Sequence, residues 1–195
     1  IVFHFAGINK SDNKKDFEKV NVNLTKNICD IISRNQNTTL FFASTIHAIQ
    51  NNDYGKSKYK AEKICLNLNK KFNNKVHILR LPGIFGIGCK PNYNSVVATF
   101  CFNTANNIKL KIIESEKKIE LLFVEDLCFQ LNDLINRNSY CNFIEIENIY
   151  KISIGKLAST ISSFHNDQYH LKLKNLKDPL KKNLLKTYIS FISEN

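Results

Sequence analysis

Short apolar runs separated by longer stretches of helical periodicity constrain this chain more than any other feature. Ile1–Gly7, Thr38–Thr45 and Val76–Leu81 are apolar runs of strand length, bounded by Gly, Pro or polar residues, as buried parallel strands are. Between them, Asp16–Arg34 places Phe17, Val20, Leu24, Ile28 and Ile31 at helical spacing. Tyr54–Asn73 does the same with Ala61, Ile64, Cys65, Leu68 and Phe72. Strand, helix and strand in that order predict parallel βαβ units.

The later chain is less regular. Its pattern predicts helices over Asn94–Asn106, Asp126–Asn136, Ser153–Phe164 and Asp178–Phe191, the last with Pro179 tolerated in its first turn. Strands are expected at Ile108–Ile113, Ile119–Val124 and Phe143–Ile152, and a polar surface loop at 165–179. With 195 residues, 43% of them hydrophobic, the chain can build one domain with a substantial core. We expect a cofactor and catalytic part over 1–88 and a substrate-side part over 89–195.

Composition narrows the function classes. The net charge of +11 comes mainly from lysines that are scattered, not gathered into a stripe with interleaved aromatics, so solvated surface is favoured over nucleic-acid binding. No apolar run approaches the about 18 residues of a membrane span, and cytoplasm is the default expectation. Six cysteines show no C-x-x-C pair and no partnering His, which fits reduced thiols and no metal. The chain has no Met and opens directly in a strand, so it reads as a fragment whose N-terminal part is missing.

Chemistry concentrates in TLFFASTIHAIQNNDYGKSK, from Thr39 to Lys58. An apolar strand delivers Ser44 and Thr45, and a helix then carries Tyr54 and Lys58 at i and i+4, on one face. The ammonium of Lys58 is expected to favour the phenolate and lower the Tyr54 pKa toward the range useful for acid–base work. Taken alone, Tyr-x-x-x-Lys in so lysine-rich a chain also fits two exposed helix residues.

Other segments agree in order. FHFAG (3–7) resembles a strand end H-x-A-[AG], VNVNLTKNI (20–28) a helix N-V-x-G-T-x-N, LRLPGIFG (79–86) R-x-x-N-V-[YF]-G, and FVEDL (123–127) V-x-D-[VL]. Together with the Tyr and Lys, these resemble the extended short-chain dehydrogenase/reductase superfamily, the NAD-dependent epimerase/dehydratase family. The nearest resemblance is to a subgroup, the reductase parts of bifunctional capsular-polysaccharide epimerase/reductases. Cys89–Asn106, ISIGKLASTISSF and DPLKKNLLKTYISF extend it over nearly the whole chain. Leu24 and Gly83 depart from the pattern, at a usual Gly and a usual Asn.

The resemblance implies an α/β Rossmann-type parallel sheet, here without its first βα units and with a small C-terminal substrate lobe. The glycine loop that cradles the pyrophosphate and the cupin barrel that follows in the subgroup are both absent from the 195 residues. It implies reduction of the C4 keto group of a UDP-4-keto-6-deoxy-N-acetylamino sugar, with NADP as cofactor and NAD as the alternative. Tyr54 would protonate the keto oxygen, Lys58 would tune Tyr54 and bond the nicotinamide ribose, and Thr45 would hold the carbonyl oxygen, with Ser44 as runner-up.

Ala6 and Gly7 would let the dinucleotide pass, and Pro82 and Gly83 would offer main-chain groups to it. Asn21 would touch cofactor or brace the neighbouring strands. His47, Lys90, Asn92 and Asn94 are substrate contacts or ordinary loop residues. Ile46 and His47 stand where dehydratases carry an Asp-Glu pair, which favours reduction over dehydration. A 4-epimerase with retained NAD, or an inactive remnant prone to aggregate, are the alternatives. A homodimer through the Tyr54 helix and its predecessor is implied by resemblance alone.

Overall fold

The computed structural model describes residues 1–35, 37–136, 142–166 and 177–192, apart from the Asn166 side chain. Its described strands fall into two sheets and its chain into two compact units, 1–82 with 131–147 and 83–130 with 148–195. The sequence pattern had suggested a contiguous division near residue 88. None of the described helices is long and apolar enough to cross a membrane.

The first unit is a parallel sheet flanked by helices. Strands β1 (Val2–His4), β2 (Leu40–Thr45), β3 (Val76–Leu81) and β6 (Phe143–Ile144) lie side by side in that order, every pair parallel. Helices α2 (Leu24–Ile32) and α3 (Asp53–Phe72) close one apolar cluster with Leu40, Phe42, Val76 and Ile78. Phe41, between Phe3 and His77, belongs to a second row of rings. β-branched and aromatic residues suit a strand buried on both faces.

The helix that precedes β2 differs from its sequence pattern. It runs as a short α-turn, α1 (Lys14–Asp16), a π-helical stretch (Phe17–Asn23) and then α2. Its buried residues are Phe17, Asn21, Val22, Thr25, Cys29 and Ile32, whereas Ile31 of the expected apolar face is 65% exposed. The wider π turn rotates the helix so that polar Asn21 and Thr25 face inward, where each finds partners. Counting apolar residues at a 3.6 period therefore runs one residue out of step after Phe17, although Ile28 still packs half-buried against the cluster.

The second unit joins β4 (Gly83–Phe85) parallel to β5 (Lys118–Phe123), and β5 antiparallel to β7 (Tyr150–Ser153). Helices α4 (Val96–Ala105), α6 (Ile154–Asn166) and α7 (Pro179–Ile189) enclose Phe100, Phe123, Leu157, Phe164 and Tyr188, while α5 (Val124–Asn136) follows β5 directly. Two expected strands are corrected here. Ile108–Ile113 is irregular chain; the Ile108 N–H closes the end of α4 on the Asn103 carbonyl at 2.7 Å, and Ile113 is exposed. Phe143–Ile152 breaks into β6 and β7, with Asn148 left-handed at φ 59° between them. Most of the loop expected over 165–179, and Cys141, lie outside the described residues.

β1 is the outer strand of its sheet in the described residues; Phe3 on it and Phe5 just after it are 45% and 48% exposed. An apolar edge of this kind templates pairing with other chains. Replacing Phe3 with Thr and Phe5 with Lys is expected to reduce concentration-dependent association of the chain in light scattering. Unchanged association would show that the edge is not what the molecules share.

Candidate active site

The start of α3 is built from capping and close approach. Thr45, extended at the end of β2, caps a short 3-10 turn over Ile46–Ile49, its Oγ1 accepting the His47 N–H at 3.2 Å. Asn52 then caps α3, accepting the Gly55 N–H at 2.7 Å, with Asp53 in the positively polarised first turn. Gly55 is the residue this junction demands. A Cβ there would run into the carbonyl oxygens of His47 and Gln50, so no other residue lets the helix begin against the turn.

This junction brings Thr45, Tyr54 and Lys58 together. The Thr45 hydroxyl stands where it favours the Tyr54 phenolate, and both lie in the first unit with Lys58 one turn further on. Burial raises the Tyr54 pKa above the ordinary phenol value, and the nearby Thr45 hydroxyl offsets part of the rise. The expectation that Lys58 lowers it is thus corrected: desolvation of the half-buried phenol wins. Lys58 is the more perturbed group. It is 5% exposed with its ammonium over the Phe42 ring at 4.3 Å, and burial brings its pKa down to about 8 against the opposing pull of Cys65 and Glu62.

Asn21 braces this arrangement. Its amide donates to the Ile8 carbonyl at 2.8 Å and to Ser57 Oγ at 2.9 Å, and its oxygen accepts the Ile8 N–H at 2.9 Å. Ser57 in turn donates to the Tyr54 carbonyl at 2.7 Å. Both amide protons are thereby committed, so the geometry favours the brace over a cofactor contact. Ala6 and Gly7 are exposed beside it. A Cβ on Gly7 would come within 2.9 Å of the Asn21 oxygen and 3.8 Å of the Lys58 nitrogen.

His4 completes the group from below. Thr25 Oγ1 donates to the Asn21 carbonyl at 2.6 Å, so it can only accept from His4 Nε2, 2.9 Å away. That assigns the Nε2–H tautomer and leaves Nδ1 buried with no partner in the described structure. Burial first, and the Lys58 charge second, push the His4 pKa down to about 4.

Ser44 faces a different set of groups. Its hydroxyl donates to the Glu62 carboxylate, which Arg80 grips through Nε at 3.0 Å and Nη2 at 2.7 Å. His47 is exposed and, with Tyr54, Phe17 and Asp53, lines a cleft of about 430 Å³. Pro82 is buried at the end of the first unit. In the second unit, Gly83 opens β4, and its exposed Cα faces the Glu120 carbonyl closely enough to favour a small residue. Lys90, Asn92 and Asn94 are exposed there. Lys90 sits over the Tyr93 ring at 5.6 Å, and both Asn residues are left-handed, at φ 56° and 55°, in turns that suit Asn.

A model of the NAD dependent epimerase/dehydratase family matches residues 1–138. The chain belongs to this family. It is 33% identical to the UDP-2-acetamido-2,6-beta-L-arabino-hexul-4-ose reductase of Pseudomonas aeruginosa, over all of this chain and 53% of that one. The capsular polysaccharide assembling protein CapF of Staphylococcus aureus superposes with a TM-score of 0.83 at 30% identity, covering 99% of this chain and 53% of CapF. UDP-glucuronic acid 4-epimerase from Bacillus cereus, solved with NAD, gives 0.83 at 15% identity over 97% of this chain and 73% of its own, a likeness of fold. The chain spans about half the length of the first two.

As a member of the epimerase/dehydratase family, the chain offers residues that fit one end of a nicotinamide dinucleotide. Tyr54 and Lys58 could hold its ribose and ring side, and Gly7 keeps side-chain atoms out of the space beside them. The six glycines include no G-x-x-G-x-x-G, so the pyrophosphate cradle is not among these 195 residues. The sequence reading missed Gly55, Ser57, Glu62, Arg80, His4 and Thr25. Gly55, Ser57 and Glu62 were within reach, because they extend the same helix as Y-G-x-S-K-x-x-x-E.

Two outcomes follow from this geometry. Gly55→Ala should cost about 1–3 kcal/mol in urea unfolding, because a backbone-to-Cβ clash cannot be relieved by a rotamer change. Undiminished stability would mean the turn can move away. His4 is neutral when folded and protonates near 6.5 when unfolded, so the unfolded chain binds more protons between about pH 6.5 and 4. Stability should be full above pH 6.5 and fall by about 3 kcal/mol as pH drops through that window. His4→Gln should flatten that slope in denaturant midpoints measured from pH 7 to 4.5.

Proposed function

We propose that the chain carries the proton-handling site of a sugar-nucleotide oxidoreductase. Its reaction would be NADPH-dependent reduction of the C4 ketone of a UDP-4-keto-6-deoxy-N-acetylamino sugar, for a capsular or other surface polysaccharide. The single observation that carries this is the placing of Thr45 at the end of β2 and of Tyr54 at the start of α3, one helical turn from a buried Lys58. The named activity of the Pseudomonas aeruginosa relative and the CapF likeness support the substrate class.

A nicotinamide dinucleotide, when bound, supplies the hydride. Thr45 and Tyr54 would both hydrogen-bond the ketone oxygen, and Tyr54 would pass it a proton as negative charge develops there. The raised phenol pKa keeps Tyr54 protonated through neutral pH, which suits an acid. Lys58 would stabilise the phenolate left behind. Ile46 has no ionisable group where a dehydratase needs one, so loss of water has no acid–base pair here. His47, Lys90, Asn92 and Asn94 are proposed as substrate contacts, and Ala6, Gly7, Pro82 and Gly83 as the cofactor's backbone neighbours. The site would serve a soluble UDP-sugar in the cytoplasm, and the enzyme would act as a homodimer.

Absorbance at 340 nm with NADPH and the 4-keto sugar nucleotide tests the reading. Tyr54→Phe is expected to lower kcat by about 10²–10⁴-fold. Because the ammonium of Lys58 is lost as pH rises through about 8, kcat/KM should fall on that alkaline limb. Exchange at C4 with no net NADPH consumption would replace this reading with a 4-epimerase. Full activity in Tyr54→Phe would remove the site altogether.

A further inference from the structure

Lys58 and Glu62 are four residues apart on α3 and share one face. Glu62 is 1% exposed, a carboxylate placed where an unpaired charge would be very costly. The sheet supplies its partners in register. Ser44 on β2 pairs with Arg80 on β3, so the two side chains stand next to one another and meet the same carboxylate. Arg80 grips it bidentately, and its guanidinium also rests on the Phe143 ring at 4.8 Å. Glu62 is therefore fixed from two strands while lying one turn beyond the lysine.

We propose that Glu62 is a positioning residue for Lys58, whose clamped carboxylate keeps the buried lysine charged, and that Arg80 sets how much of that negative charge Lys58 feels. The groups around Lys58 leave this role to Glu62. From β1, His4 is neutral in the tautomer that Thr25 imposes. From β2, Phe42 offers only a ring face. From the π-helical stretch and the chain after β1, Asn21 and Gly7 are uncharged. On α3 itself, the thiol contact with Cys29 of α2, and then burial, hold Cys65 well above the usual thiol range, so its pull on Lys58 is felt only where the thiolate forms and not near neutral pH. Tyr54 is protonated. Glu62 is the carboxylate among the described groups acting on Lys58, and its field opposes the burial that would discharge the lysine.

The consequence for catalysis rests on the proposed role of Lys58 in reduction, but the test does not. Competitive acetylation with peptide mass spectrometry reads the Lys58 titration directly, at pH 7–10, without substrate. Glu62→Gln keeps the shape and loses the charge; Lys58 should become about tenfold more reactive at pH 7, the size of one pKa unit. Arg80→Gln leaves the carboxylate less neutralised; Lys58 should become several-fold less reactive at pH 8–9. Glu62→Asp, keeping the charge, should restore most of the native profile.

The opposite signs separate charge from bracing, since a brace lost from either end would loosen α3 in the same way. Equal shifts in both variants, or none, overturn the proposal. Each variant is read by itself where circular dichroism stays native; collapse of both marks the pair as a structural clamp and overturns it too. Lost turnover with a native Lys58 titration in Tyr54→Phe would concern the reductase reading only.

Discussion

The structure around the candidate site depends on one buried amide. Asn21 takes the N–H and carbonyl of Ile8 with one side-chain group and reaches Ser57 with the same nitrogen. Through Thr25 its own carbonyl is tied to His4 on β1, and through Ser57 its side chain is tied to the Tyr54 carbonyl. Three segments far apart in sequence are thereby held at one point: the end of β1, the π-helical stretch and the first turn of α3. Buried polar groups are tolerated when they are hydrogen-bonded; every polar atom of the Asn21 side chain is, and this fixes a register that apolar packing would leave loose.

The π turn follows from that demand. An α-helix with the apolar period of the sequence would turn Ile31 inward and Asn21 outward. Widening the turn at Phe17–Asn23 gives up regular bonding to bring Asn21 and Thr25 to their partners.

Much of the first unit was legible because its signals are local. Apolar runs gave β1, β2 and β3, and the i, i+4 spacing placed Tyr54 and Lys58 on one face. What was not legible depended on distant chain. The irregular 108–113 segment has alternating Ile and Lys like a strand, but a strand needs a neighbour, and its first N–H closes α4 instead. The single strand expected over 143–152 fails at Asn148, whose left-handed backbone sends the two halves to different sheets. Arg80 stands at the Arg of the R-x-x-N-V-[YF]-G likeness, but its partners appear only when the register sets it beside Ser44 and under Glu62. The direction of the Tyr54 shift was misread for a related reason: a charge nearby in sequence can be estimated from spacing, whereas desolvation depends on everything packed around the phenol.

The Glu62–Arg80–Ser44 cluster is hard to explain by stability alone. Taking the Glu62 carboxylate out of water is expensive, with Arg80 still a third exposed, and three apolar side chains of similar volume would hold α3 against β2 and β3 at least as firmly. Such a repacking would leave Lys58 with burial against it and no buried carboxylate in its favour. Lys58 already sits near the limit, with a pKa of about 8 even with Glu62 present. A charged lysine is what a phenol needs beside it when it gives up a proton. The ion pair thus makes physical sense as the element that would let the proposed acid–base site keep a buried lysine cationic.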